Sequence, residues 1–180
     1  MAVGCAGAAL VAAGCGLTTT KTKTTIVTTT VTKTVTHTVT QSAAANGCTA
    51  HDLTGTFQVL QGSAGAGNIV YTLKVTNASQ QACTVSGIPA IEFLTSGGSV
   101  LPSHVTPNGT GAPVLVTLQP GASARSQVRF SPDVDPCDSG TATTLRVTMS
   151  AGGSFNVNID PATRLCGAGS LQPTNFSGAD

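Results

Sequence analysis

The sequence predicts an all-β protein, an immunoglobulin-like antiparallel β-sandwich of about eight strands. From residue 46 onward, apolar and polar side chains alternate over short runs. Gly, Pro, Asn and Ser separate these runs, which is typical of strands joined by turns. Hydrophobic residues make up 40% of the chain and are mostly Ala and Val, a composition that is poor in helix formers. There is no Trp, so the domain is not of the antibody type.

The predicted strands have one apolar face each. In "IVYTLKVT", Tyr71, Leu73 and Val75 share a face with Ile69, and polar residues lie opposite. One apolar face per strand predicts two sheets packed face to face. The predicted strands, in order, are "TFQVLQ", "IVYTLKVT", "CTV", "AIEFL", "SVL", "PVLVTL", "ARSQVRF", "TLRVTM" and "FNVNI".

The N-terminus resembles a secretory signal of the lipoprotein type. "MAVGCAGAALVAAGCG" is apolar and too short to span a bilayer. We interpret residues 1–14 as the signal peptide and "VAAGC" as a lipobox, so that Cys15 would carry the lipid (diacylglycerol and palmitate). A basic segment is missing before the apolar run, which suggests a start codon upstream. The alternative is an ordinary cleaved signal with Cys15 as a leftover thiol.

Residues 15–46 are rich in Thr, and "TTIVTTTVTKTVTHTV" repeats a tetrad that ends in Val. β-Branched residues disfavour a helix, and both faces of a strand would be too polar to drive burial. We therefore expect a flexible, extended tether that leads to a β-sandwich domain over residues 47–180. The rival interpretation is a strand that pairs with a partner.

Six cysteines are present, and none is in a CxxC pair. Cys5 falls within the predicted signal. Cys48, Cys83, Cys137 and Cys166 predict two disulfides in an oxidising compartment. Cys48 and Cys83 flank one predicted hairpin at nearly equal distances, and Cys137 and Cys166 flank another, which favours these two pairings. The two other connectivities remain open.

A family resemblance rests on the stretch "VTNASQQACTVSGIPAIEFL", on "LQPGASA", and on the order of Cys48, Cys137, "LRV" and Cys166. These signals resemble the actinobacterial domain-of-unknown-function 4232 family (DUF4232) of secreted proteins and lipoproteins. Ile88 stands where an aromatic residue is common, and a Pro-Pro after the late strand is lacking. The resemblance implies a β-sandwich of the cell envelope. It implies no reaction and no catalytic residue.

No enzymatic constellation emerges from the sequence. His37, His51 and His104 are isolated, there is no G-x-S-x-G motif, and Glu92 is the only Glu, on the outward face of a strand. We expect neither an enzyme nor a cofactor. With charged residues at only 8% and a net charge of +1, we also expect no nucleic-acid partner. Phe176 is the one aromatic side chain that the core does not need, so the chain lacks an aromatic platform for sugars.

Asp133, Asp135 and Asp138 cluster around Cys137 as calcium candidates, against the simpler interpretation of a solvated acidic turn.

We expect a lipid-anchored protein on the extracytoplasmic face of the cell membrane, or alternatively a secreted one. It would contact the membrane through its N-terminal lipid. It would also bind an envelope protein or cell-wall partner through a sheet edge or loops. The alternative is a small-ligand or calcium-binding extracellular module.

Overall fold

A computed structural model describes residues 45–109, 111–131, 140–166 and 169–179. The predicted lipidation residue Cys15, residues 15–44 of the predicted tether, Cys137 and the three calcium candidates lie outside the described residues. One 3-10 turn, Ala50–Asp52, is present. The strands are β1 (Asn46–Gly47), β2 (Leu53–Val59), β3 (Ile69–Asn77), β4 (Cys83–Val85), β5 (Ala90–Leu94), β6 (His104–Val105), β7 (Val116–Leu118), β8 (Ser123–Ser131), β9 (Gly140–Thr148), β10 (Ser154–Leu165), β11 (Ser170–Pro173) and β12 (Ser177–Gly178).

The strands form two sheets. The larger sheet has the order β5-β9-β10-β2-β3-β8-β11-β6, with β12 also paired to β8, and the smaller one has the order β1-β4-β7. The all-β class is confirmed, and the sheets form a sandwich-like, nearly closed barrel arrangement. The structure does not confirm that the arrangement is immunoglobulin-like. Three pairings are parallel, β1 with β4, β10 with β2, and β11 with β6.

The predicted faces are those that the structure buries. Tyr71, Leu73 and Val75 on β3 are at most 1% exposed, because every second side chain of the strand points into the core. Phe57 stacks on Tyr71, with ring centroids 4.6 Å apart. Phe93 meets Phe57 and Phe130 edge-on, at 6.5 and 5.5 Å. This aromatic cluster joins β2, β3, β5 and β8 and therefore ties together strands that are distant in the sequence.

Both predicted hairpins are present. β2 and β3 pair antiparallel from Leu53 with Asn77 to Val59 with Tyr71. β9 and β10 are joined by a tight turn in which the Met149 N–H donates to the Gly153 carbonyl at 3.0 Å. Gly152 and Gly153 both have positive φ, which a side chain would disfavour there.

Other predictions require correction. The run "SVL" is not a strand, and Val100 makes only an isolated bridge to Leu94. Four short strands, β1, β6, β11 and β12, were not predicted, because they carry little alternation of their own. The interpretation of Phe176 as a spare aromatic is wrong. Its side chain is 3% exposed and belongs to the core, because the C-terminal segment packs back onto the sheet.

Candidate functional site: an open seam between two sheet edges

The strand order of the larger sheet begins with β5 and ends with β6, and residues 99–105 run from one of these edge strands to the other. The segment first lies beside β5, where the Leu101 N–H donates to the Phe93 carbonyl at 2.8 Å. It then reaches β6, which pairs with β11. Between the two edges lies a groove of about 560 Å³, which we call the seam. Its lining residues are Ala90, Ile91, Glu92, Val100, Leu101, Pro102, Ser103, Val105 and Thr148.

The β5 wall of the seam presents main-chain groups. Since the Phe93 carbonyl accepts from Leu101, the main chain at this position points away from β9. The β5–β9 register contains no shift, so Ile91, two residues earlier, has the same orientation. Its N–H and C=O therefore face the seam. Among the described residues, no hydrogen bond from a loop or turn reaches these two groups.

The β6 wall is similar. The N–H groups of His104 and Thr106 donate to the carbonyls of Gly169 and Leu171, at 2.9 and 2.8 Å. The intervening residue, Val105, must therefore point its N–H and C=O away from β11 and towards the seam. Within the described part of the chain, neither group of Val105 has a backbone partner. Within the described ranges, the two edges thus each present one donor and one acceptor without a backbone partner.

The side chains around the seam are mainly apolar. Val100 and Val105 are 54% and 41% exposed, which is high for Val, and Leu101 is buried beneath them. The charged lining residue is Glu92, and its carboxylate is 3.1 Å from the Arg146 guanidinium. An apolar groove with unpaired main-chain groups suits an extended polypeptide, which supplies both kinds of contact.

The disulfide between Cys48 and Cys83 is present, as the hairpin argument predicts. The two Cα atoms are 4.9 Å apart, and the bridge links residues 35 positions apart in the sequence. It joins the start of the domain to β4. Cys166 is buried and is also disulfide-bonded, but the other half of its bridge lies outside the described residues. The pairing of Cys137 with Cys166 therefore stays a prediction.

The structure does not bring the other candidate residues together. His51 and His104 are exposed and belong to separate elements. In the described ranges, no group of three or more His, Cys, Asp or Glu side chains could hold a metal ion. Asp133, Asp135 and Asp138 lie outside those ranges, so the calcium interpretation stays a prediction. No helix among the described residues is both long and apolar enough to cross a membrane.

Asp52 has a structural role at the 3-10 turn. The Thr49 hydroxyl and the Thr49 N–H each donate to its Oδ2 at 2.7 Å. These hydrogen bonds, the hydroxyl first, favour the charged carboxylate and lower the pKa of Asp52, and partial burial opposes them. The Asp52 carboxylate thus stabilises the turn at the start of β2.

Sequence reasoning missed the seam. The available signal was the cluster of apolar residues in "SVLPSHV", which has too many apolar side chains for an ordinary loop. The cluster lines a possible binding groove only because of the orientation of the main chain at Ile91 and Val105. That orientation depends on hydrogen bonds to β9 and β11, which are distant in the sequence.

These features define a disulfide-stabilised all-β domain whose sheet has an open seam between its two edges. The family model described as a domain of unknown function (DUF4232) matches residues 48–177, and the chain belongs to that family. The matched range begins at the first cysteine of the Cys48–Cys83 disulfide and ends in β12. No curated protein and no solved structure matches the chain.

Proposed function

We propose that this protein is a non-enzymatic interaction domain anchored at the extracytoplasmic face of the cell membrane, and that it binds an extended segment of a protein partner at the seam. The observation that supports binding is the orientation of Ile91 and Val105. Each directs an unpaired N–H and C=O into the same apolar groove. A strand inserted there would pair with one edge or both, which is recognition by strand addition.

The energetics favour a partner that also fills the groove with side chains. Each backbone hydrogen bond gained contributes about 0.5–1.5 kcal/mol net, so two at Ile91 and two at Val105 give roughly 2–6 kcal/mol. Covering the exposed parts of Val100 and Val105 adds hydrophobic stabilisation at about 25 cal/mol per Å². Because binding also orders the partner segment, the net affinity should be moderate.

Anchoring rests on the N-terminal sequence, which lies outside the described residues. The lipobox "VAAGC" supports lipidation of Cys15. The test is Cys15→Ala in the native host, followed by membrane fractionation and mass spectrometry of the intact protein. We expect the variant to leave the membrane fraction and to lose the acyl mass. A wild-type protein without acyl mass would contradict the lipid anchor.

The seam is tested by amide hydrogen exchange in the isolated protein. The amides of Ile91 and Val105 should exchange quickly, whereas those of His104 and Thr106 should exchange slowly because they bond to β11. Slow exchange at both Ile91 and Val105 would mean that the protein itself already pairs these groups, and the proposal would be wrong.

Partner binding is tested by placing a photocrosslinking residue at position 105 in intact envelopes. Position 114 provides the control, since Val114 is 65% exposed and does not line the seam. We expect a crosslinked protein at 105 that is absent at 114 and is lost with Val100→Lys, which places a charge in the apolar groove. A partner that crosslinks equally at both positions would contradict binding at the seam.

A further inference from the structure

A row of cations lies on the outer face of the larger sheet, away from the seam. Lys74 on β3 is directly opposite Arg125 on β8, and Arg129 follows four residues later on the same face of β8. All three side chains are exposed. We call these three residues the cationic row. Like charges placed directly opposite each other on adjacent strands destabilise a sheet, so the arrangement is unfavourable for the free protein.

No acidic side chain on the neighbouring strands offsets this charge. β2, β3, β8, β11 and β12 contain neither Asp nor Glu. Asp160 pairs with Gln58, which pairs with Thr72, so it lies two strands from β3, about 10 Å away. Glu92 lies at the β5 edge and is held by Arg146. At the separation of about 10 Å between Asp160 and β3, salt largely screens the interaction between exposed charges.

Uncharged hydrogen-bonding groups surround the row. Thr56 lies opposite Lys74 on β2, and Gln127 lies opposite Thr72. Two shallow depressions of about 350 and 370 Å³ lie on this face, and both include Thr56 and Gln58; Asp160 also lines the second, so the first suits an anionic ligand better. Lys74 lines the first of them. Hydroxyl and amide side chains on a flat surface suit a ligand that is itself rich in hydroxyl groups.

The charge pattern favours a polymer over a single anion. The Cβ atoms of Lys74 and Arg125 are about 5 Å apart, so the two non-bridging oxygens of one phosphodiester can meet both cations. Arg129 lies about 14 Å further along β8, beyond the reach of that phosphate. The Arg129 Nε–H donates to Asn68 Oδ1 at 3.1 Å, which holds its guanidinium at the surface. A ligand therefore needs a second negative charge to contact the Arg129 guanidinium.

We infer that the cationic row binds a linear phosphodiester polymer whose repeating units carry hydroxyl groups. The phosphates lie along Lys74, Arg125 and Arg129, and the hydroxyls contact the Thr and Gln side chains beside them. This inference does not depend on the seam, because the two surfaces share no residue. A substitution in the cationic row can therefore abolish polymer binding without affecting strand binding at the seam, and the reverse also holds.

The test uses poly(glycerol phosphate) as the probe and the soluble Cys15→Ala protein as the background. Three proteins are compared: the unchanged background, the double variant Lys74→Gln/Arg125→Gln, and the control Arg146→Gln, which removes one positive charge outside the row. Calorimetry at several salt concentrations gives the affinity and its salt dependence. Circular dichroism confirms that each variant is folded.

The expected result follows from counterion release. With two phosphates engaged, one by Lys74 and Arg125 together and one by Arg129, affinity should fall about sevenfold between about 50 and about 200 mM salt, using a slope of roughly 0.7 per phosphate. The double variant retains one contact, so its affinity should be lower at every salt concentration and should fall only about threefold over the same range. Arg146→Gln should behave like the unchanged background.

Four other outcomes would overturn the inference. Absence of binding to poly(glycerol phosphate) is the first. The second is equal or tighter binding to polygalacturonate, a carboxylate polymer, which would remove the preference for phosphodiesters. The third is tighter binding to phosphatidylglycerol vesicles, which would make the face a membrane contact. A loss of affinity with Arg146→Gln as large as that of the double variant would likewise count against it, because net charge alone would then explain binding.

Discussion

Asn77 offers the sharpest test of how this domain is held together. Its side chain is 1% exposed at the end of β3. Its Nδ2 donates to the carbonyls of Gln81 and Leu118, at 2.7 and 2.9 Å. Its Oδ1 accepts from the N–H and the hydroxyl of Ser79, at 2.9 and 2.8 Å. One amide thus ties β3 to the following turn and to β7. Although Asn77 begins an N-x-S sequon, its amide is not available for a glycan.

Asn77→Ala removes all four hydrogen bonds. The Leu118 carbonyl is buried, and leaving it unpaired costs about 1–3 kcal/mol. The groups of Gln81 and Ser79 are nearer to solvent and can regain water, so each of their three bonds costs only about 0.5 kcal/mol. The free energy of unfolding should fall by about 3 kcal/mol. At about 4 °C per kcal/mol for a domain of this size, the Tm should fall by about 12 °C.

The assay is urea unfolding followed by circular dichroism, with a thermal scan as a second measurement. The control is Asn156→Ala on β10, since Asn156 is exposed and its substitution should change stability by less than about 0.5 kcal/mol. A loss of less than about 1 kcal/mol for Asn77→Ala would refute the reasoning. It would mean that water replaces the amide at the Leu118 carbonyl.

Three further predictions concern the same domain. Replacing both Cys48 and Cys83 by Ser should lower the free energy of unfolding by about 4 kcal/mol in the chain-entropy model for a loop of this length, measured by urea unfolding, and an unchanged midpoint would contradict it. The pKa of Asp52 is lowered from 3.8 in the folded protein, so its stabilising effect is complete above the unfolded pKa and is lost as pH falls through the lower folded pKa. Below about pH 4, the Tm should therefore fall less steeply with decreasing pH in Asp52→Asn than in the wild type. Parallel plots of Tm against pH for the two proteins would count against this. Lys74→Gln removes a charge opposite Arg125 and should raise stability by about 0.2–1 kcal/mol; a decrease would show that the pair does not repel.

The sequence predicted the features that depend on near neighbours. Alternation alone identifies which side chains of β3 and β8 face the core, because successive side chains of any strand point to opposite sides. The hairpin of β9 and β10 follows from two alternating runs around "SAGGS". The Cys48–Cys83 bridge follows because an antiparallel hairpin brings the chain back to where it began. None of these inferences requires knowing which distant strands meet.

The candidate site was much less predictable. β6 is only two residues long, and it is a strand because β11 lies beside it. β10 pairs with β9 on both sides of an irregular stretch between Asn158 and Thr163, and in that stretch it pairs with β2 instead. Phe176 shows no alternation with its neighbours, and only the return of the C-terminus to the sheet buries it. Each of these outcomes depends on contacts between segments far apart in the chain.

By itself, the sequence determined the all-β class, the inward faces of the main strands and the hairpin that one disulfide closes. Local alternation, turn residues and cysteine spacing are sufficient for these, since each acts over a few residues or across a single turn. Only the tertiary structure decided that the sheet stays open between β5 and β6, and that Lys74 lies opposite Arg125. Both depend on the register between distant strands. A shift of one residue would turn each side chain, and each main-chain N–H and C=O, to the opposite side.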